Sequence, residues 1–370
     1  MDDIIRVAKA HDVDAIHPGY GFLSENAAFA RKCADAGITF IGPKPEQLDM
    51  FGDKVTAKQV ATDAGVSTIP GTKEPVASYQ EAAEFGATHG FPIMLKAAMG
   101  GGGRGMRVVD KPEDLKEAFE RASSEATQAF GSGEIYLEKL LTHPKHVEVQ
   151  VIADQHGHTM HLFERDCSVQ RRNQKMIEFA PAVALPQALR TEICNAAVKL
   201  MASVHYVNAA TVEFLVEDGK YYFLEVNPRV QVEHTVTELI TGIDIVQTQI
   251  KIAQGQDLYA DIRLPKQDEL TYNGAAIQCR VTTEDPANDF MPDTGTIVSS
   301  KLPGGNGVRL DVVRAFNGAV VTLYFDSLLA ISCVHAAVLQ PDARKMSRAL
   351  TQFQIQGVKP NLPSLRHVSA

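Results

Sequence analysis

The sequence predicts a protein of mixed α/β and α+β class: a partial open α/β sheet at the start, a small α+β unit next, and a larger mixed unit to the end. Three observations carry that prediction. The first fifty residues alternate between helical and strand-like periodicity, as an open layered sheet does. A glycine run, Gly100-Gly101-Gly102-Gly103-Arg104-Gly105, sits between two strand-like stretches. From about Leu141 onward, alternating strands such as Val147-Glu148-Val149-Gln150-Val151 dominate.

The elements follow in order. Residues 2–11 read as a helix and 13–16 as a short strand, and His17-Pro18-Gly19-Tyr20-Gly21 reads as a loop. Ser24 is placed to cap a helix through Ala36, which Gly37 ends. Residues 38–41 form the next strand, closed by Gly42-Pro43, and 54–64 a helix. The sheet thus opens on a helix, without a first strand beneath it. Ser78 opens the small unit's first helix, 93–97 is a strand, 107–109 another, Pro112 starts a helix and 135–139 is the last strand. There are no internal repeats, and residues 365–370 carry no pattern and are expected to fray.

Composition narrows the function classes. The chain has 370 residues, enough for two or three domains, with 45% hydrophobic and 22% charged residues, ordinary for a soluble globular protein. A net charge of -9 argues against a broad nucleic-acid face. No apolar run approaches the roughly 18 residues of a membrane span, and the first residues lack the features of a signal peptide. Five scattered cysteines without CxxC spacing read as reduced thiols of a cytoplasmic protein.

The glycine run formally satisfies GxGxxG, but the dinucleotide fingerprint needs a helix after it, and a strand-like stretch follows here. Bare amides between two strands can still close over phosphates, with Lys96 adding a point charge. A ligand-free hairpin is the alternative.

Two alternating stretches, 211–216 and 221–227, flank Asp218-Gly219 and read as a hairpin. A two-residue turn would pair Glu213 with Leu224 and put Glu213 and Glu225 on opposite faces; a three-residue loop would put both on one face with Asn227. In the second case two carboxylates and an amide oxygen form a hard-oxygen site for Mg²⁺; a solvated acidic face is the alternative. Next comes Asn227-Pro228-Arg229-Val230-Gln231-Val232-Glu233-His234. If extended, Arg229, Gln231 and Glu233 point one way, offering a planar fork for a small oxyanion such as bicarbonate and a general base beside it.

The donor-rich run from Arg165 to Lys175 fits either an anion site or a surface loop of salt bridges. His156, His158 and His161 match no zinc spacing and are read as exposed hairpin histidines.

At this point the chain resembles a known family. His17-Pro18-Gly19-Tyr20-Gly21-Phe22-Leu23-Ser24-Glu25-Asn26 looks like the signature of biotin carboxylases of the ATP-grasp superfamily, as do Gly52-Asp53-Lys54, the glycine run, Glu164-Arg165-Asp166-Cys167-Ser168 and the stretch from Glu225 to Glu233. The resemblance covers nearly the whole chain. Asn173 and residues 234–255 look most like the pyruvate carboxylase branch of biotin-dependent carboxylases, with related segments in acetyl-CoA and propionyl-CoA carboxylases. The resemblance implies an ATP-grasp fold with a partial N-terminal sheet (1–52), connecting helices and a small mobile lid (53–140), and a larger C-terminal domain (141–370), truncated at both ends.

It also implies a ligase reaction: ATP phosphorylates bicarbonate to carboxyphosphate, and the carboxyl group passes to N1 of biotin. Lys54, Lys96, Gly102, Gly103, Glu138, Lys139, Leu141, His146, Gln170 and Leu215 would bind ATP. Glu213, Glu225 and Asn227 would hold Mg²⁺ or Mn²⁺; Arg229, Gln231 and Val232 would hold bicarbonate. Arg229, Glu233 as base, Lys175 at the transferring phosphate and Arg309 at the biotin enolate would be catalytic. A biotinyl carrier domain, a carboxyltransferase domain and homo-oligomerisation are the implied partners. Departures from the family pattern are Ala210 for a glycine, Ile331 for a lysine and Pro360 for a threonine. Three alternatives stay open: a catalytically impaired fragment that binds ATP or a partner only, the equivalent subunit of an acetyl-CoA or propionyl-CoA carboxylase, and a different ATP-grasp ligase.

Overall fold

The computed structural model describes residues 1–97, 106–130 and 133–368, so the glycine run, with Gly102 and Gly103, lies outside the described residues. The chain divides into two compact units. The larger gathers residues 1–66, 145–214 and 225–370; the smaller gathers 67–144 and 215–224. No helix among the described residues is long and apolar enough to cross a membrane.

The larger unit starts with α1 (Asp2–Ala10), β1 (Ala15–Ile16), α2 (Ala27–Asp35), β2 (Thr39–Phe40), α3 (Pro45–Gly52) and α4 (Lys54–Asp63). β1 and β2 pair in parallel, Ala15 beside Thr39 and Ile16 beside Phe40, so the expected strands shrink to two residues each. α2 begins two residues later than Ser24 predicts. The Asn26 carboxamide accepts the Phe29 N–H at 2.8 Å, while Ser24 is buried in the preceding turn. α3 was not foreseen, since Gly42-Pro43 reads as the start of a loop. Pro45 suits a first turn, Gln47 Oε1 accepts the Lys44 N–H at 3.1 Å, and Leu48 and Phe51, three apart, bury one stripe. Asp53 caps α4 through Thr56 N–H at 2.8 Å.

The smaller unit holds α5 (Tyr79–His89), β3 (Ile93–Ala97), β4 (Met106–Val109), α6 (Leu115–Phe130) and β5 (Ile135–Lys139). Its three strands run β4-β3-β5, antiparallel, with Leu95 opposite Leu137. Ile93, Leu95 and Ala97 alternate inward and pack with Ile135, Leu137, Leu115 and Phe119. Period two therefore turns Lys96 and Glu138 to the other face.

The chain continues with β6 (Lys145–Ala153), β7 (Thr159–Arg171), β8 (Gln174–Ala180), α7 (Gln187–Ser203), β9 (Asn208–Glu217), β10 (Lys220–Asn227), α8 (His234–Thr241), α9 (Ile245–Ala253) and β11 (Ala275–Thr282), residues 215–224 of β9 and β10 belonging to the smaller unit. An eight-stranded sheet runs β10-β9-β6-β7-β8-β11 and then the strands Leu328–Ala336 and Val308–Val312. β6 lies between β9 and β7 and is buried at every residue from Val147 to Ala153. The β7–β8 and β9–β10 turns are two residues each, Arg172-Asn173 and Asp218-Gly219, with positive φ at all four positions as such hairpins require. The run from Arg165 to Lys175 is therefore a hairpin rather than a surface loop. At the other end, α10 (Leu339–Gln352) is followed by α11 (Leu362–Val368). Residues 365–368 are helical where fraying was expected, because Leu362 and Leu365 share one buried stripe and Arg366 donates to the Leu350 and Phe353 carbonyls.

Candidate active site

The inward face of the central sheet carries charge where apolar side chains would be ordinary. Glu148 on β6 stands opposite Arg165 on β7. Lys175 follows on β8, and Thr211 and Glu213 sit at alternate positions of β9. A buried charge survives only if it is paired and hydrogen-bonded, and each of these is. Arg165, fully buried, donates from Nε to Glu148 at 2.6 Å, from Nη1 to Gln150 at 2.8 Å and Thr237 at 3.0 Å, and from Nη2 to Thr211 at 3.1 Å and Gln231 at 3.2 Å. All five of its N–H groups are thereby used.

Lys175 Nζ is the hub. It bonds Glu148, Glu213 at 2.8 Å and Glu233 at 2.7 Å. Glu213 also meets His146 Nε2 at 2.5 Å and accepts from the Asn227 and Gln231 amides, both at 2.9 Å. Arg280 on β11 donates to Glu178 at 2.6 Å and to Glu233 at 2.8 Å. Four carboxylates, Glu148, Glu178, Glu213 and Glu233, thus face three cations, Arg165, Lys175 and Arg280.

The electrostatics follow. Burial opposes a charged Lys175, but Glu148 and Glu233 outweigh it and push its pKa up. Burial would raise Glu213, yet the His146 hydrogen bond and the Lys175 charge pull it down to about 2. Glu233 is lowered too: burial and Glu148 raise it, and Lys175, Arg280 and Arg165 win. Glu178 goes the other way, to about 7, because burial dominates and Arg280 compensates only in part. Glu148, Glu213 and Glu233 are thus all held below the usual carboxylate range by their cations, and Glu178 alone is pushed above it.

The polar run after β10 is not extended, which corrects the expectation. The chain bends at Arg229, whose N–H bonds the Asn227 carbonyl, and turns again at Val232-Glu233 into α8. Its side chains still converge: Gln231 reaches Glu213 and Glu233 reaches Lys175. Arg229 donates to Glu25 at 2.5 Å, to Asn227 Oδ1 at 3.0 Å and to the Val230 carbonyl at 3.3 Å. With a two-residue turn, a regular ladder would put Asn227 on the face away from Glu213. The same turn puts Glu213 and Glu225 on opposite faces of a regular ladder, yet the Asn227 amide still reaches Glu213 at the strand's end. Glu225, two residues earlier on the same strand, is half-buried. The donor atoms of Glu213 lie within 4.8 Å of those of His146 and Glu148, a grouping that does not include Glu225. Val232 packs against Leu328, Ile331 and Cys333. Arg309 is gripped at 3.0 Å by both oxygens of Asp311 and at 2.6 Å by Glu238.

The other predicted residues divide between the units. In the smaller, Lys96 pairs with the Glu138 carboxylate, Lys139 donates to the Gly90 and Phe91 carbonyls, and Leu141 and Leu215 are half-buried. In the larger, Lys54 is exposed at the start of α4, and Gln170 bonds His146 at 2.8 Å and the Cys167 carbonyl.

Sequence reasoning missed Glu148, Glu178 and Arg280. The available signal was a lone charge inside an otherwise apolar alternating strand. Two histidines also need correcting. His158 is half-buried and bonds Asp154 at 2.9 Å; His161 is half-buried, and burial pushes its pKa down to about 4.

Comparison with known proteins completes the picture. Three family profiles match: the ATP binding domain of the carbamoyl-phosphate synthase L chain over residues 53–261, the biotin carboxylase C-terminal domain over 278–370 and the biotin carboxylase N-terminal domain over 1–48. Pyruvate carboxylase of Bacillus subtilis is 56% identical over 370 residues, covering 100% of this chain and 32% of that protein. The chain thus spans about a third of the length of the curated relatives it matches. The biotin carboxylase subunit of pyruvate carboxylase superposes with a TM-score of 0.92 at 44% identity, covering 100% of this chain and 80% of that one. The biotin carboxylase domain dimer of Hydrogenobacter thermophilus 2-oxoglutarate carboxylase, in complex with MgADP, ADP and bicarbonate, superposes at 0.83 with 42% identity and the same coverage.

Proposed function

The chain belongs to the biotin carboxylase family, and on that premise we propose that it is an ATP-dependent ligase that carboxylates biotin through carboxyphosphate, the first half-reaction of pyruvate carboxylase. One observation carries the reading: a single ammonium, Lys175, bonds three buried carboxylates, Glu148, Glu213 and Glu233. Such a group can turn from carboxylates to phosphate oxygens without leaving the pocket.

In this reading Arg229, with Gln231 and the Val232 backbone, grips bicarbonate, and Glu233 accepts its proton. Both Glu233 oxygens are bonded to cations, so Glu233 acts as base only once Lys175 swings to the transferring phosphate. A bicarbonate oxygen then attacks the terminal phosphorus, ADP departs, and Lys175 and Arg229 bear the charge that builds up. Glu213, Glu225 and Asn227 would supply hard oxygens of the kind Mg²⁺ or Mn²⁺ takes, and Glu213 already accepts one cation. When bound, such an ion neutralises nucleotide phosphate oxygens. Arg309, oriented by Asp311 and Glu238, would stabilise the biotin enolate.

Lys54, Lys96, Gly102, Gly103, Glu138, Lys139, Leu141, His146, Gln170 and Leu215 would bind ATP. The division at 1–52, 53–140 and 141–370 belongs to the same proposal. So do a biotinyl carrier domain, a carboxyltransferase domain, a homo-oligomer and a cytoplasmic setting.

The test is ADP release by the 370-residue chain with ATP, Mg²⁺, bicarbonate and free biotin. Turnover should require bicarbonate and rise with biotin, and Glu233→Gln should abolish it while nucleotide binding remains. A folded wild-type chain that binds nucleotide but shows no bicarbonate-stimulated turnover would overturn the reading.

A further inference from the structure

Between Ser24 and Asn26 lies a residue that neither buries nor caps. Ser24 is buried and Asn26 caps α2, but the Glu25 carboxylate is part-exposed and reaches 204 positions along the chain to Arg229. Arg229 has five N–H groups. One, on Nε, goes to Glu25 at 2.5 Å; one, on Nη2, to Asn227 at 3.0 Å; one, on Nη1, to the Val230 carbonyl at 3.3 Å. Among the described residues two are left, one on each Nη.

The geometry points to Glu25 as a positioning residue, one that fixes the Arg229 fork so that an incoming oxyanion meets those two remaining N–H groups. This rests on the reading of Arg229 as the bicarbonate grip. An arginine side chain has four rotatable torsions, and Val230 and Asn227 belong to its own segment, so they move with it. Glu25 is the anchor from elsewhere in the chain. It acts through Arg229 and need not touch substrate. Its charge works against its geometry, since a carboxylate beside an anion site repels the anion. The two effects predict opposite signs, which makes the assignment decidable.

The variants are Glu25→Ala, Glu25→Gln and Glu25→Asp in the full chain. Because Glu25 is 39% exposed in its side chain and Arg229 21%, the substitutions leave no deeply buried charge, and folding should survive. Positioning predicts that the bicarbonate KM rises on the order of tenfold in the Ala and Gln variants, with kcat changed much less, the ATP KM unchanged and partial rescue by Asp. A bicarbonate KM that falls or stays constant would overturn it. A second measurement needs no turnover: in ¹⁵N-arginine-labelled protein, bicarbonate is titrated while the Arg229 Nε–H signal, assigned by its loss in Arg229→Lys, is followed. Wild type should show a slowly exchanging signal and saturable binding; Glu25→Ala should lose the slow exchange and bind bicarbonate about tenfold more weakly. Wild-type binding without turnover would sink the proposed function but not this role. Turnover with unaltered bicarbonate dependence in the variants would sink this role alone.

Discussion

The same ladder of β6 and β7 carries two acidic clusters that differ in who satisfies them. At its hairpin tip Asp154 is fully buried, and its oxygens accept three backbone N–H groups, from His156, His158 and Leu258, each at 2.9 Å. His158 and Asp257 complete a grouping that could hold a metal. Further along, Glu148 is equally buried, but its partners are the side chains of Arg165 and Lys175. Backbone donors cannot let go without unfolding the loop they define; side-chain donors can. The tip carboxylate is an anchor that ties the hairpin to the segment after α9, whereas the interior carboxylates hold cations that can be re-aimed. A cluster of acids is therefore a poor marker of chemistry, and the mobility of its partners is a better one.

Four substitutions would break or sharpen that contrast, the largest effect first. Lys175→Met should lower bicarbonate-dependent ADP release by roughly a thousandfold, in line with the loss of one positioned charge in a water-poor site; a loss under tenfold would show that the hub is structural. Arg165→Met leaves Glu148 buried beside a lost partner and should cost about 3–5 kcal/mol in urea unfolding. Asp154→Asn should cost about 1.5–3 kcal/mol yet leave kcat unaltered, because no interior group moves. The smallest is His161→Asn. The folded pKa of His161, about 4, lies below its ordinary value, so the unfolded chain binds the extra proton first. Wild type should lose stability, by roughly 2 kcal/mol, as pH falls from about 6.5 to 4, and the variant should lack that limb.

Much of this was legible. Period marked α4, Ser78 marked the start of α5, and Asp218-Gly219 marked the β9–β10 turn. Glu213, Gln231, Glu233 and Lys175, named from sequence, do meet in one network. What escaped depends on sheet order. A lone Glu148 between two valines reads as the outward face of an edge strand, and only β6 lying between β9 and β7 turns that face inward. Arg280 and Glu178 sit on adjacent strands 102 residues apart, a pairing no local pattern announces. His161 was misjudged because it lies near the hairpin tip in sequence, while its partner Gln267 comes from 106 positions along the chain.

Arg165 has a consequence for how such chains can change over generations. A lysine there could satisfy at most three acceptors, where the guanidinium serves five, contributed by two strands, a bend and a helix. No single replacement keeps them all content. Positions 148, 150, 165, 211, 231 and 237 should therefore drift together or not at all, so that a lineage abandoning one would be found to have abandoned the set.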